Sequence, residues 1–168
     1  MRSRHWLILL FGIVCSGCEQ TERTDSLVGP WRLISWEQRT AGGDVSYPYG
    51  MSPEGQIVYT ANGQMSAQLM NPGADLAGVT ASGTEAIIGS AADTFFAYYG
   101  TYEMDEGAQT VTHHVEGSLA ASWVGSDQVR QFEFLSDGRL QLTAIIAEED
   151  RVSDGTIGPQ VLVWERIE

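Results

Sequence analysis

His113 and His114 stand side by side in the run Thr112-His113-His114-Val115-Glu116, in a chain with 3 histidines in all. Neighbouring residues of an extended strand point to opposite faces, so the two imidazoles cannot close on one ion. His114 and Glu116 share a face. The remaining histidine is His5, however, and no cysteine follows Cys18, so a tetrahedral zinc site lacks ligands and no metal is expected. His113 falls with Val111 and Val115, an apolar face on which an imidazole can act as a hydrogen-bonding group or general base. Arg130 alternates with Phe132 and Phe134. A guanidinium on such a face needs an anion, supplied by Glu103, Glu116 or a ligand carboxylate. Tyr59, on a face with Ile57, completes a set of polar points in otherwise apolar surroundings. No Gly-x-Ser-x-Gly elbow, phosphate-binding loop or redox cysteine pair occurs, and no cofactor motif is present. The acidic stretch Glu148-Glu149-Asp150 with Ser153-Asp154-Gly155 lacks the ligand spacing of a calcium loop and reads as a solvated connection.

These residues must be positioned by β-strands. From Leu27 onward, runs rich in alternating apolar residues are separated by turn signals. Eight strands are predicted: Trp31–Arg39, Gln56–Thr60, Gln64–Met70, Tyr98–Met104, Gln109–Gly117, Gln128–Leu135, Arg139–Ile146 and Val161–Ile167. Asn62-Gly63, Asp105-Glu106-Gly107 and Ser136-Asp137-Gly138 mark three hairpins, the first carrying the strongest short hairpin signal. One segment breaks the rhythm. Ser82 and Glu85 have capping-box spacing, which predicts a helix from Glu85 to about Ala97, between the third and fourth strands. Eight hairpin-connected strands suit a closed antiparallel barrel, which has no exposed edge; a two-sheet sandwich is the competing architecture.

Composition limits the partners. The 168 residues carry 9 Lys+Arg against 22 Asp+Glu, for a formal net charge of −13, and every basic residue is an arginine. Such a balance argues against nucleic acid or an anionic lipid surface as the main partner. The hydrophobic fraction of 43% is that of a folded domain, not of a disordered chain. At the N-terminus, Arg2 and Arg4 precede the apolar run Trp6–Val14, too short to span a bilayer. A charged start, a short apolar stretch and then Ser16-Gly17 form a signal-peptide pattern over residues 1–17. The site before Cys18 resembles the lipobox of bacterial lipoproteins, although the position that usually holds leucine is Cys15. The resemblance implies cleavage before Cys18 and lipid attachment to it, with residues 18–26 as a polar tether. Glu19, in place of the aspartate that usually retains such proteins at the inner membrane, favours the periplasmic face of the outer membrane. With Cys15 removed and Cys18 lipidated, the domain has no disulfide.

Gly29-Pro30-Trp31 opens the first strand and Arg166 closes the last, an arrangement that resembles the lipocalin and calycin barrels, in which the arginine packs over the tryptophan at the barrel floor. Longer stretches are similar to the bacterial lipocalin-like domain proteins: Leu27–Leu33, Tyr47-Pro48-Tyr49-Gly50, Tyr59–Ser66, Val111–Ser118 and Trp123–Arg130. The resemblance covers residues 27–168 and implies an all-β, eight-stranded antiparallel barrel. It implies little about activity, since fold does not fix function.

A barrel of this size can enclose one small ligand. Alternation directs Ile57, Tyr59, Met65, Ala67 and Leu69 inward from the first hairpin, with Val111, His113 and Val115, then Arg130, Phe132 and Phe134, and Leu140, Leu142, Ala144 and Ile146 from later strands. Trp123 lies in a loop at a barrel end, as a lid or plug, and Trp36 reads as core. Tyr59, Met65, His113, Trp123, Arg130 and Phe132 are thus the candidate ligand-binding residues. The sequence favours a lipid-anchored binder of a small, largely apolar molecule. An isomerase or cyclase, with His113 as base and Arg130 or Tyr59 stabilising charge, is the catalytic alternative. An envelope interaction protein with a filled barrel is the third.

Overall fold

Period-2 burial builds this structure strand by strand. The computed structural model describes residues 26–39, 43–73, 94–144 and 159–168. On β4 (Gln64–Met70), Met65, Ala67 and Leu69 are buried while the residues between them are not. The other strands are β1 (Gly29–Arg39), β2 (Val45–Ser46), β3 (Glu54–Tyr59), β5 (Phe95–Asp105), β6 (Thr110–Ser118), β7 (Asp127–Phe134), β8 (Leu140–Ala144) and β9 (Gln160–Arg166). Apart from β2, they pair antiparallel in a meander, β1-β3-β4-β5-β6-β7-β8-β9. β9 returns to β1, from Trp31 opposite Arg166 to Gln38 opposite Gln160. That last pairing makes an eight-stranded closed barrel and rules out the sandwich.

Two elements differ from the sequence reading. β2 is a two-residue strand paired with the end of β1, Gln38 opposite Ser46, inside what the sequence presents as a Gly/Pro/Tyr loop. The helix expected over Glu85–Ala97 must be corrected at its end. Phe95, Phe96 and Ala97 are strand residues paired with Met70, Leu69 and Gln68 of β4. The local capping signal gives way there to aromatic side chains that pack on a pleated surface and to a neighbouring strand that satisfies their backbone. The capping residues Ser82 and Glu85, and the rest of that segment up to residue 93, lie outside the described residues, as does Ile146.

One end of the barrel is closed by a floor. Trp31 is buried, and its indole Nε1 donates to the Leu27 carbonyl at 2.8 Å. The Arg166 guanidinium carbon lies 4.1 Å from the centre of the Trp31 ring. The same guanidinium donates to the Val28 and Ser26 carbonyls at 2.9 and 2.6 Å. Gly29 has φ +128, and a Cβ there would lie 2.7 Å from Arg166 Nη1. Glycine at the head of Gly29-Pro30-Trp31 therefore leaves the space that the arginine fills. Above this floor the core runs through Leu33, Ile57, Leu140 and Trp164. At Gly100 β5 and β6 approach closely: a Cβ there would strike the His114 carbonyl oxygen, next to a register shift between Tyr99 and Gly100.

Candidate functional site

Away from the floor the inward side chains do not fill the barrel. They leave a cavity of about 220 Å³ to which all eight barrel strands contribute. Its apolar wall comes from Ile57 of β3, Ala67 and Leu69 of β4, Phe96 of β5, Leu142 and Ala144 of β8, and Leu162 of β9. Trp36, Tyr49, Tyr98, His113, Trp123, Arg130, Gln160 and Trp164 supply the remaining surface.

His113 is fully buried on β6 and joins two tyrosines. Its Nε2 lies 2.7 Å from the Tyr59 hydroxyl and its Nδ1 lies 2.9 Å from the Tyr98 hydroxyl. Burial pushes the His113 pKa down to about 3, and the Arg130 charge and the neighbouring His114 act in the same direction. The imidazole is therefore neutral at physiological pH, with one N–H and one bare nitrogen. Burial also raises both tyrosines: Tyr59 well above the usual phenol value, with Tyr98 adding to it, and Tyr98 itself, with Arg130 opposing. Tyr59 is only 1% exposed and has no other hydrogen-bond partner among the described residues. If its hydroxyl hydrogen were not given to Nε2 it would be buried without an acceptor, at a cost of ~1–3 kcal/mol. The arrangement that avoids this has Tyr59 donating to Nε2 and Nδ1–H donating to Tyr98. The Tyr98 hydroxyl hydrogen is then left over, and Tyr98 is the tyrosine of the two that lines the cavity.

Arg130 reaches the same cavity from β7. Its Nη1 donates to the Val129 carbonyl at 2.9 Å, and its guanidinium sits 5.6 Å from the Trp123 ring centre. Trp123 ends a 3-10 turn (Ala121–Trp123) and packs edge-on against Phe96 and Tyr98, with ring centres 5.0 and 5.4 Å apart. Neither carboxylate expected to neutralise Arg130 does so. Glu103 is 84% exposed and lies 3.9 Å from His114, while Glu116 is exposed on the outer face. No ion pair among the described residues involves Arg130. The physical reason is strand alternation: Glu103 and Glu116 belong to the face opposite His113. His114 is on that outer face too, 2.7 Å from Asp127 Oδ1. Among the described residues no group of three or more His, Cys, Asp or Glu side chains could hold a metal ion.

The sequence-derived candidates divide by position. His113, Arg130 and Trp123 line the cavity, with Arg130 and Trp123 in direct contact. Tyr59, Met65 and Phe132 point inward as alternation requires, but they are packed in the core beside the cavity and not in its wall; Tyr59 touches the site through His113. Seven described wall residues went unassigned as ligand-facing: Trp36, Tyr49, Phe96, Tyr98, Gln160, Leu162 and Trp164. The indole N–H groups of Trp36 and Trp164 are buried with no acceptor among the described residues. A signal for Tyr98 was available in the alternation Phe96, Tyr98, but Phe95 and Tyr99 put aromatics on the other face as well.

A closed antiparallel barrel with a Trp–Arg floor and a mainly apolar internal cavity defines the class of calycin-like β-barrels. The chain belongs to the lipocalin-like domain family, whose sequence model matches residues 28–167. No curated protein sequence matches it.

Proposed function

We propose that this barrel binds one small, largely apolar molecule in its cavity. The observation that carries the reading is the internal cavity of about 220 Å³, apolar on most of its wall, with a few convergent polar groups at one side. Ligand pockets have this make-up, apolar area supplying affinity and a few polar groups fixing orientation. The volume lies below the ~300–1,000 Å³ of sites that take drug-sized ligands, so the occupant is compact. The catalytic alternative is less well supported. A histidine held near 3 is a weak base at neutral pH, and both ring nitrogens of His113 are engaged by tyrosines. In the uncharged fluorophore N-phenyl-1-naphthylamine the protein should find a one-to-one ligand whose emission rises on binding. Ala144→Trp, which places an indole into the cavity wall, should weaken that binding at least tenfold with an unchanged circular dichroism spectrum. Undiminished binding by the filled variant would show that the probe sits elsewhere and would remove the basis for the reading.

We further propose that the protein is exported and anchored through lipid on Cys18, at the periplasmic face of the outer membrane. The support is the charged, short apolar and small-residue pattern of residues 1–18. Mass spectrometry of the protein from a bacterial host should find a chain that starts at Cys18 and carries added acyl mass, and Cys18→Ser should lack both. A mature chain without acyl mass would exclude the anchor.

A further inference from the structure

The cavity is unbalanced in hydrogen-bonding capacity. Among the described residues its polar wall is richer in donors than in acceptors. The Tyr59–His113–Tyr98 chain has three hydrogens and two hydrogen bonds, so one hydrogen is always left over. Protonating His113 would leave two, so the surplus does not depend on its charge state. Trp164 is 1% exposed, and among the described residues neither its Nε1–H nor that of Trp36 has an acceptor. Indoles donate and cannot accept. Arg130 is half-buried and gives one good bond to the Val129 carbonyl and a long one, 3.4 Å, to Gln128, so among the described residues most of its donors have no partner and its charge has no anion. Against these, Gln160 brings an amide oxygen, and among the described residues no wall residue carries a carboxylate. Each buried donor without an acceptor is costly, and the half-buried guanidinium brings a fixed positive charge to the same wall. A site built this way is completed by a molecule that brings acceptors and a negative charge.

Position narrows the choice. Arg130 and Tyr98 both pack against the Trp123 ring, with 5.6 Å from the guanidinium and 5.4 Å from the tyrosine ring to its centre. They therefore present charge and hydroxyl at one side of the cavity, with Leu69, Leu142 and Leu162 forming the apolar remainder. One planar guanidinium matches one planar carboxylate in both charge and geometry. We propose that the ligand is a compact apolar carboxylate whose head group accepts from the Arg130 guanidinium and the Tyr98 hydroxyl. This assignment rests on the reading of the cavity as a binding site and adds its charge and polarity.

The test is a matched series of one chain length with three head groups, octanoate, 1-octanol and octylamine, titrated at neutral pH and followed by calorimetry. Octanoate should bind at least about tenfold more tightly than octanol, and octylamine should show no binding. In Arg130→Met, octanoate should fall to the affinity of octanol, while octanol itself is unchanged and so reports an intact cavity. Equal binding of octanoate and octanol by the wild type would overturn the head-group assignment and leave an apolar pocket standing. A preference that survives Arg130→Met would overturn the role of Arg130. Binding of none of the three would remove both the assignment and the apolar pocket it rests on. The wild-type comparison decides the matter even if the variant does not fold.

Discussion

Between pH 6.5 and pH 3 the folded protein is expected to lose on the order of 5 kcal/mol of stability through His113 alone, since the side chain falls from 6.5 to about 3 on folding and each pH unit between the two values is worth about 1.4 kcal/mol. The sign follows from proton binding. In that window the unfolded chain protonates His113 and the folded chain does not, so acid favours unfolding. Above pH 6.5 neither state binds the proton and the term vanishes. Below about 3 both do, and the loss is complete. The cause is burial first, since His113 has no accessible surface, and the nearby Arg130 second. Urea unfolding at a series of pH values measures it, with His113→Gln as the non-titrating reference. The variant is expected to start lower, because Tyr59 and Tyr98 lose their shared partner, and to depend less steeply on pH. Parallel pH profiles for the two proteins would mean that His113 is not held neutral by the fold.

Replacing Trp31 with alanine should cost about 3–5 kcal/mol, the range for truncating a large buried aromatic. Total stabilities of domains are only ~5–15 kcal/mol, so this variant should be barely folded at room temperature. Three losses coincide. The ring leaves a void among Leu27, Leu33 and Phe134, the Leu27 carbonyl loses its indole donor, and the Arg166 guanidinium loses the surface on which it stacks. Arg166→Met should cost less, about 1–2 kcal/mol, because the stacking of an exposed arginine contributes ~0.5–1 kcal/mol and the rest comes from its bonds to Val28 and Ser26. The two residues touch, so the double variant should cost less than the separate losses together. Denaturant midpoints for the four proteins test this. Strict additivity, or a Trp31→Ala loss under ~1 kcal/mol, would show that the floor does not act as one unit.

Most of the barrel could be read from the sequence because period-2 alternation and three Gly-containing turns are local properties. His113 and Arg130 were assigned to the interior by their apolar neighbours on the same face, and both are there. Alternation says which way a residue points, but not how deep along the barrel it lies. Depth depends on strand tilt and register, which is why Met65 and Phe132 proved to be packing while Trp36 and Trp164 proved to be cavity wall. The Tyr98–His113 bond was hidden for a related reason. The register partner of His113 on β5 is Tyr102, and Tyr98 reaches the imidazole from another position on the strand. The helix expected up to Ala97 relied on a capping pattern without weighing Phe95-Phe96 as strand formers. The exposed carboxylates Glu103 and Glu116 were credited to Arg130 because the sequence shows charge but not which side of a wall it lies on.

The pairing of β1 with β9 also fixes an order in time. Arg166 meets the Val28 carbonyl across 138 residues of sequence. During synthesis the strands from β1 to β8 can zip by successive hairpins, each a short-range event, but the ring cannot close until β9 has been made. Until then β1 and β8 both present unpaired edges, the feature that invites strand addition from other chains. Bringing such distant segments together carries the loop-closure entropy of nearly the whole domain, and topologies ruled by contacts of this kind fold slowly. The latch that seals the finished barrel is thus also the step that decides how long its edges stay open.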